Sequence, residues 1–241
     1  MSWSITDADA LERVILGLKM KIASRLGAQE GMTVVDVGCG QGGFTAALAR
    51  MVGDSGRVVA VDVTDEYLME FKERLGRCGV EDRVTFVQAD AINLEGILPS
   101  CFADLVVGFR LLEELKNCRD MPKVVGEMIH VTRSGRKTCF IEMSTEARNR
   151  AEEAYIRLHR ESGDCFFSEE EILEEMNGYG LVDIHVDEVD SDIWFSPDLA
   201  KQNLSHAQVW SDSDVVRRLG SLIEVHGMKY PKFLIFSGRR P

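Results

Sequence analysis

Glycines follow a short apolar run in the first quarter of the chain, within Met32–Arg50. The run predicts a buried strand, and the residues after the glycines predict a helix with Phe44, Ala47 and Leu48 on one face. A turn between a parallel strand and a helix offers free backbone N–H groups and the positive end of the helix dipole. Glycines let a ligand approach that backbone without meeting a Cβ atom. The stretch therefore predicts a small-molecule site built on Gly38, Gly40, Gly42 and Gly43.

Two kinds of ligand fit this glycine turn. Three of the glycines have the GxGxxG spacing of dinucleotide-binding sites. Asp62 ends a second predicted strand about 20 residues later, where such sites place the acid that binds a ribose. Asp36, however, lies inside the first apolar strand, where an unpaired carboxylate is costly. This carboxylate would repel a pyrophosphate and attract a cationic amino-acid end, so Asp36 favours a ligand that carries an ammonium group.

The glycine turn resembles the first motif of the class I S-adenosylmethionine (SAM) methyltransferases, (V/L)-D-(V/I/L)-G-x-G-x-G. In this chain the motif is Val35-Asp36-Val37-Gly38-Cys39-Gly40-Gln41-Gly42. Three further segments resemble the second, third and fourth strands of that family: Arg57–Leu68, Val84–Ala91 and Ala103–Phe109. Four such elements in the same order are more specific than one motif. The resemblance extends over nearly half of the chain.

The resemblance implies that SAM is the cofactor. It implies that Asp36 faces the ammonium group, Asp62 the ribose hydroxyls and Asp90 the adenine amino group. All three carboxylates lie at or near the carboxyl ends of predicted strands. Ligands of doubly wound sheets bind at this edge. The full cofactor-binding set that the resemblance implies is Asp36, Gly38, Cys39, Gly40, Gly42, Asp62, Val63, Asp90, Ala91 and Phe109.

The elements that must position these residues alternate between strand and helix. This alternation predicts one α/β domain over 1–241, a doubly wound, mostly parallel sheet with helices on both faces. The resemblance implies a Rossmann-like sheet of seven strands in the order 3-2-1-4-5-7-6, with the last strand antiparallel. Apolar residues at intervals of three and four predict an N-terminal helix over 1–27, with Thr6 and Asp9 spaced as a capping box.

Two segments outside the sheet are candidates for substrate recognition. Residues 144–167 hold a polar helical stretch, which could be a solvated surface helix or a lid over the site. Residues 190–230 form a helical insertion between the last two strands, far longer than a hairpin needs. The sequence leaves open whether this insertion selects the substrate or forms the contact of a possible homodimer.

A general base is needed if the methyl acceptor is a hydroxyl, an amine or an acidic carbon. Glu142, at the end of the fifth strand, and His159, in the possible lid, are the two catalytic candidates. Each of them also suits an ordinary surface or helix-end role. Arg110, just after the fourth strand, could hold an anionic acceptor or simply pair with Glu113 or Glu114.

The bulk properties narrow the class of partner and the compartment. The 241 residues carry a formal net charge of −12, which gives no general attraction to nucleic acid or to an anionic membrane. The six cysteines are scattered singly, so we expect free thiols, no metal site and a cytoplasmic location. No apolar segment reaches the length of a membrane span, and the first residues lack a signal pattern.

The sequence therefore predicts a SAM-dependent methyltransferase of a small-molecule acceptor. Within the family, the motifs look most like the branch that contains quinone-ring and other small-molecule methyltransferases. Three alternatives stay open: a tRNA, rRNA or protein acceptor, a NAD(P)-binding oxidoreductase, and a non-catalytic SAM-binding protein. The oxidoreductase would need a catalytic domain, for which few residues remain after the nucleotide motifs.

Overall fold

A computed structural model describes residues 3–4, 8–200 and 213–241. The predicted cap at Thr6 lies outside these residues. The helices are α1 (Ala8–Leu26), α2 (Gly43–Val52), α3 (Leu68–Cys78), α4 (Met121–Val131), α5 (Arg150–Ser162), α6 (Glu169–Gly178) and α7 (Ser213–His226). The strands are β1 (Trp3–Ser4), β2 (Thr33–Val37), β3 (Arg57–Asp62), β4 (Val84–Gln88), β5 (Ala103–Phe109), β6 (Thr132–Met143), β7 (Val182–Val189), β8 (Ile193–Phe195), β9 (Met228–Lys229) and β10 (Phe233–Arg239). Across the described ranges, none of the helices has both the length and the apolar character to cross a bilayer.

The central sheet has seven strands in the order β4-β3-β2-β5-β6-β10-β7. Numbered along the chain within this sheet, the order is 3-2-1-4-5-7-6, so the predicted topology is confirmed. Strands β4, β3, β2, β5 and β6 run parallel, and β10 runs antiparallel to both of its neighbours. In β2, Val35 is opposite Val59 on one side and Val106 on the other. This register places the carboxyl ends of β2, β3 and β5 at one edge.

The sheet separates two apolar cores, because successive side chains of a strand point to opposite faces. Val34 of β2 packs in the core that contains Ile22 of α1 and Leu48 of α2. Val35 packs in the opposite core, with Met128 of α4. Helices therefore cover both faces of the sheet, as predicted, and bury its central parallel strands.

A second, smaller sheet brings together distant parts of the chain, in the order β1-β8-β9. Strand β8 pairs parallel to β1 and antiparallel to β9. The Trp194 indole also donates a hydrogen bond to the His226 carbonyl at 3.1 Å. The insertion over 190–230 therefore contains the short strands β8 and β9 as well as α7. The sequence analysis predicted a helical insertion and did not predict these strands. These strands are two or three residues long, too short to give a periodic sequence pattern.

Residues 144–167 form a packed segment rather than a solvated surface helix. Helix α5 buries Tyr155 and Leu158, and it contacts α7 and β9. Glu152 is fully buried in this helix, where its carboxylate pairs with Arg148 at 2.7 Å and Lys229 at 3.2 Å. The polar appearance of the helix in the sequence therefore conceals buried ion pairs.

A disulfide joins Cys118, in the loop after β5, to Cys165, near the end of the segment 144–167. The expectation that all six cysteines are free thiols is therefore wrong. Single, widely spaced cysteines give no sequence signal of pairing, and only the fold brings these two together. The free cysteines of the described chain are Cys39, Cys78, Cys101 and Cys139.

Reduction of this disulfide is expected to destabilise the protein. The bond closes a loop of 47 residues, and the entropy of such a loop in the unfolded chain corresponds to at most about 4 kcal/mol. We expect Cys118→Ser to lower the free energy of unfolding by about 2–4 kcal/mol in urea titrations without reductant. Cys78→Ser, which removes a free thiol, is the control. Equal unfolding free energies with and without dithiothreitol for the wild type would contradict the bond.

Candidate functional site

The turn after β2 requires glycine for both backbone conformation and space. Gly38 has a φ of 76°, and a Cβ atom there would lie 2.8 Å from Cδ1 of Leu111. A Cβ atom at Gly42, which also has a φ of 76°, would lie 2.6 Å from Cδ2 of Phe71. The N–H of Gly38 donates to the Val61 carbonyl at 2.8 Å. This bond fixes the start of the turn against the end of β3.

Asp62 ends β3 with a carboxylate held by two backbone groups. Its Oδ2 accepts the N–H of Gly40 at 2.8 Å, and its Oδ1 accepts the N–H of Thr64 at 3.2 Å. The glycine turn and the Asp62 carboxylate are therefore fixed relative to each other. Because each carboxylate oxygen can accept a second hydrogen bond, the group can also bind ligand hydroxyls.

Asp36 is a fully buried carboxyl group at the base of the glycine turn. The Thr45 hydroxyl of α2 donates to its Oδ2 at 2.6 Å. Its Oδ1 has no hydrogen-bond partner among the described residues. Burial raises the pKa of Asp36 to about 7, against the opposing effects of Thr45 and the Lys19 ammonium. Such an orphaned oxygen is costly in the protein alone, and a cationic donor would stabilise it.

Asp90 follows β4 at the start of a tight turn. Its Oδ1 accepts the N–H of Ile92 at 3.2 Å, and its backbone carbonyl accepts the N–H of Asn93 at 2.9 Å. Ala91 is almost buried beside it, whereas the apolar side chain of Val63, after β3, is 45% exposed. Two apolar side chains and a carboxylate thus lie at the ends of neighbouring strands.

A cavity of about 670 Å³ lies at this edge of the sheet, within the range of cofactor sites. It brings together eight of the ten predicted cofactor-binding residues: Gly38, Cys39, Gly40, Asp62, Val63, Asp90, Ala91 and Phe109. Asp36 and Gly42 do not line the cavity, because Asp36 is buried below the turn and Gly42 packs against Phe71.

Phe109, at the end of β5, belongs to a column of aromatic rings beside the cavity. Its ring stacks on Phe44 with centroids 4.6 Å apart and on Phe233 with centroids 5.5 Å apart. The Lys19 ammonium lies 5.5 Å from the centre of the Phe109 ring. The cavity therefore has a flat aromatic wall with a cation next to it.

Several residues that line the cavity were not predicted as site residues. Lys19 reaches the wall from α1, and Arg74 reaches it from α3, where its Nε donates to the Gln41 carbonyl at 3.0 Å. The position of Lys19 in the sequence could have indicated this, because it lies between Leu18 and Ile22, two α1 residues that pack in the core. Other unpredicted wall residues are Tyr67, Ile92, Leu111, Glu114, Leu115, Lys116 and Asp120.

The two predicted catalytic residues are not among the residues that line the cavity. Glu142 is buried, and its Oε1 accepts the N–H of Leu112 at 2.9 Å. Burial, together with the nearby Glu113, raises the pKa of Glu142 well above its ordinary range. His159 is hydrogen-bonded through Nδ1 to Asp164. Neither Glu142 nor His159 lines the cavity.

A sheet of this order, with a glycine turn after its first strand and carboxylates at neighbouring strand ends, defines the class I SAM-dependent methyltransferases. The buried Asp36 oxygen that lacks a partner within the described part of the chain and the fixed carboxylate of Asp62 fit this cofactor. Within the class, the chain belongs to the ubiE/COQ5 methyltransferase family, whose profile matches residues 15–161.

Individual relatives agree with the family assignment, and solved structures share the fold. The chain is 35% identical over 132 residues to the ubiquinone/menaquinone biosynthesis C-methyltransferase UbiE of Enterobacter sp. (strain 638), covering 54% of this chain and 51% of that protein. The chain thus spans about half the length of the curated relatives it matches. A cyclopropane-fatty-acyl-phospholipid synthase-like protein from Lactobacillus casei has a TM-score of 0.75 at 16% identity, covering 99% of this chain and 95% of its own. The [4+2]-cyclase SpnF has a TM-score of 0.68 at 20% identity, covering 94% of this chain and 81% of its own. These two structures share the fold.

Proposed function

We propose that this protein transfers the methyl group of SAM to a small-molecule acceptor. The observation that carries the proposal is the buried Asp36 carboxyl group below the glycine turn, with one oxygen unpartnered among the described residues. The ammonium group of SAM is a suitable donor and counter-charge for this oxygen. A dinucleotide offers a pyrophosphate at such a turn, which the Asp36 charge would repel. The alternative of a nicotinamide cofactor is therefore disfavoured.

The residues around the cavity suit the other parts of SAM. Asp62 would accept hydrogen bonds from the ribose hydroxyls, and Asp90 would accept one from the adenine amino group between Val63 and Ala91. Lys19 would attract the carboxylate of the methionine part. Bound SAM supplies an already activated methyl group, so the protein has mainly to position the acceptor and exclude water.

We infer that the acceptor is a quinol-like aromatic ring. The curated relatives are named as C-methyltransferases of ubiquinone and menaquinone biosynthesis. The stacked ring of Phe109 on the cavity wall suits a flat acceptor. The net charge of −12 argues against a tRNA or rRNA acceptor, whose phosphates it would repel.

Methylation of 1,4-naphthoquinol tests this proposal directly. The protein, kept with the quinol under anaerobic conditions, is expected to move a ¹³C-labelled methyl group from SAM to a ring carbon. One S-adenosylhomocysteine should form for each methylated ring, as measured by mass spectrometry and NMR. Binding of SAM without any methyl transfer would contradict the acceptor and favour the non-catalytic alternative.

We also propose the cytoplasm as the working compartment. The exposed free thiol of Cys101 supports a reducing environment. In such an environment we expect Cys118 and Cys165 to be thiols in the cell and their disulfide to form on oxidation of the purified protein. Fractionation of the producing cells followed by immunodetection tests the compartment, and we expect the protein in the cytoplasmic fraction. Detection of the protein in a secreted fraction would contradict it.

A further inference from the structure

The loop after β5, residues 110–117, brings Glu114 to the wall of the cavity. Its neighbour Glu113 is not among the cavity-lining residues and forms an ion pair with Arg110. In the parts of the chain that the structure describes, the Glu114 carboxylate takes part in no ion pair or hydrogen bond. Glu114 is therefore a cavity carboxylate that neither pairs with a cation nor caps a turn, unlike Asp62 and Asp90.

The other two acid–base candidates, Glu142 and His159, are linked to the backbone of the loop 110–117. Glu142 holds the N–H of Leu112, and Cys165, which follows the His159–Asp164 pair, donates its N–H to the Glu113 carbonyl at 2.9 Å. Both interactions fix the backbone on either side of Glu113. We therefore assign Glu142 and His159 to positioning of this loop, rather than to contact with an acceptor.

Arg110 lines the same cavity as Glu114, and its guanidinium group is ion-paired with Glu113. Its backbone has a φ of 54°, a left-handed conformation that is rare for arginine and is concentrated at functional sites. The N–H of Arg110 donates to the Ile141 carbonyl of β6 at 2.8 Å, which fixes this conformation. A cation and a carboxylate on one loop can together bind an acceptor oxygen and remove a proton from the acceptor.

We propose that Glu114 is the general base of the methyl transfer and that Arg110 binds the hydroxyl oxygen of an aromatic acceptor. This inference rests on the proposed function and extends it to the acceptor side of the cavity. The S–CH₃ bond of bound SAM breaks with its electron pair going to sulfur, and the acceptor forms a new bond to the methyl carbon. The proton that the acceptor loses goes to the Glu114 carboxylate, so the substrate class is a phenol or quinol with a proton to give.

The electrostatics of the loop agree with this role. Glu114 is an exposed residue, and the partial desolvation of its carboxyl group at the cavity wall raises its pKa above the ordinary 4.5. Arg110 opposes this rise, whereas Glu113 and Asp164 add to it. A carboxylate with a raised pKa holds a proton more strongly than an ordinary glutamate does. The charged groups that surround Glu114 are Arg110, Glu113, His159 and Asp164, with Lys19, Lys116 and Asp120 on the same cavity wall.

Glu114→Gln tests the catalytic role with 1,4-naphthoquinol as acceptor. We expect kcat to fall by about 10²–10⁴-fold, while the SAM dissociation constant measured by calorimetry changes by less than about twofold. In the wild type, kcat should fall as pH decreases through the Glu114 pKa, and the variant should lack this limb. Glu174→Gln, an exposed carboxylate on α6, is the matched control and should behave as the wild type. A variant that retains a third of wild-type kcat would overturn the proposal, as would a pH limb that persists in Glu114→Gln and disappears in His159→Asn.

Titration of the carboxylate by ¹³C NMR tests the same residue without any acceptor. In the complex with S-adenosylhomocysteine, the Glu114 signal, assigned by its loss in Glu114→Gln, is expected to titrate above 4.5. Arg110→Gln should raise the midpoint further, because a cation is removed. An ordinary midpoint that ignores Arg110→Gln would overturn the role of Glu114. A raised midpoint in a protein that leaves naphthoquinol unmethylated would instead support Glu114 and contradict only the quinol acceptor.

Discussion

Asp62→Ala is expected to weaken SAM binding by at least about 100-fold, equivalent to about 2.7 kcal/mol. The reason is that the variant loses a carboxylate that would accept both ribose hydroxyls, and hydrogen bonds to a charged group are worth about 1.5–3 kcal/mol each. It also frees the N–H of Gly40, which Asp62 now accepts at 2.8 Å, so the glycine turn loses its anchor on β3. Few other single substitutions would affect both the ligand contact and the turn that supports it.

Thermal unfolding measures this effect. SAM at 100 times its dissociation constant adds about 2.7 kcal/mol to the free energy of unfolding of the wild type. This corresponds to a rise in the thermal unfolding midpoint of about 5–10 °C. The same concentration should give almost no rise with Asp62→Ala. Asp65→Ala, an exposed acid three residues further on, should keep the full rise. A rise with NAD or NADP alone, or an undiminished rise with Asp62→Ala, would contradict the assignment of the site.

Asp36→Asn is expected to stabilise the protein at alkaline pH and to weaken its binding of SAM. Asn keeps the size of the side chain and an oxygen for the Thr45 hydroxyl, while it removes a charge from a fully buried position. Without the charge, the site loses the counter-ion that we propose for the SAM ammonium group. We expect the SAM dissociation constant to rise by about 10–100-fold. A substitution that raises the free energy of unfolding while it weakens SAM binding indicates that the destabilising buried charge is retained for ligand binding.

The pH dependence of stability follows from the pKa of Asp36. Burial raises it to about 7 in the folded protein, against about 3.9 in the unfolded chain. Between these values the folded state binds more protons, so the contribution of Asp36 to stability falls as pH rises from about 4 to about 7. The full loss is at most about 4 kcal/mol. Asp36→Asn, which cannot ionise, should avoid this loss.

Urea titrations at pH 4 and pH 8 test the sign. We expect Asp36→Asn to exceed the wild type in free energy of unfolding by about 2–4 kcal/mol at pH 8 and to match it near pH 4. For the wild type, SAM should bind more tightly at pH 8 than at pH 6, and binding near pH 6.5 should release a proton, measured by calorimetry in buffers of different ionisation enthalpy. A variant that is less stable than the wild type at pH 8, or binding that weakens as pH rises, would contradict a buried protonated Asp36.

The sequence by itself determined the sheet and the cofactor side of the cavity. Both depend on local patterns: apolar strands fix which residues are buried, and each strand end fixes the position of the residue that follows it. Asp62 and Asp90 lie at the edge where the strand pattern places them, and both line the cavity. Gly38 lies where a Cβ atom would meet Leu111.

The tertiary structure alone decided the contacts of the loop after β5, where we propose that the acceptor binds. Cys118 and Cys165 are 47 residues apart, and no local pattern pairs them. Glu113 and Glu114 are equivalent in the sequence, and only the left-handed backbone at Arg110 and the packing of the loop turn one toward Arg110 and leave the other on the cavity wall. Glu142 was predicted as a base because of its place at the end of a strand; in the structure it is buried and accepts the N–H of Leu112, which is why we assign it to positioning. Contacts between segments distant in the chain depend on packing, which residue periodicity does not encode.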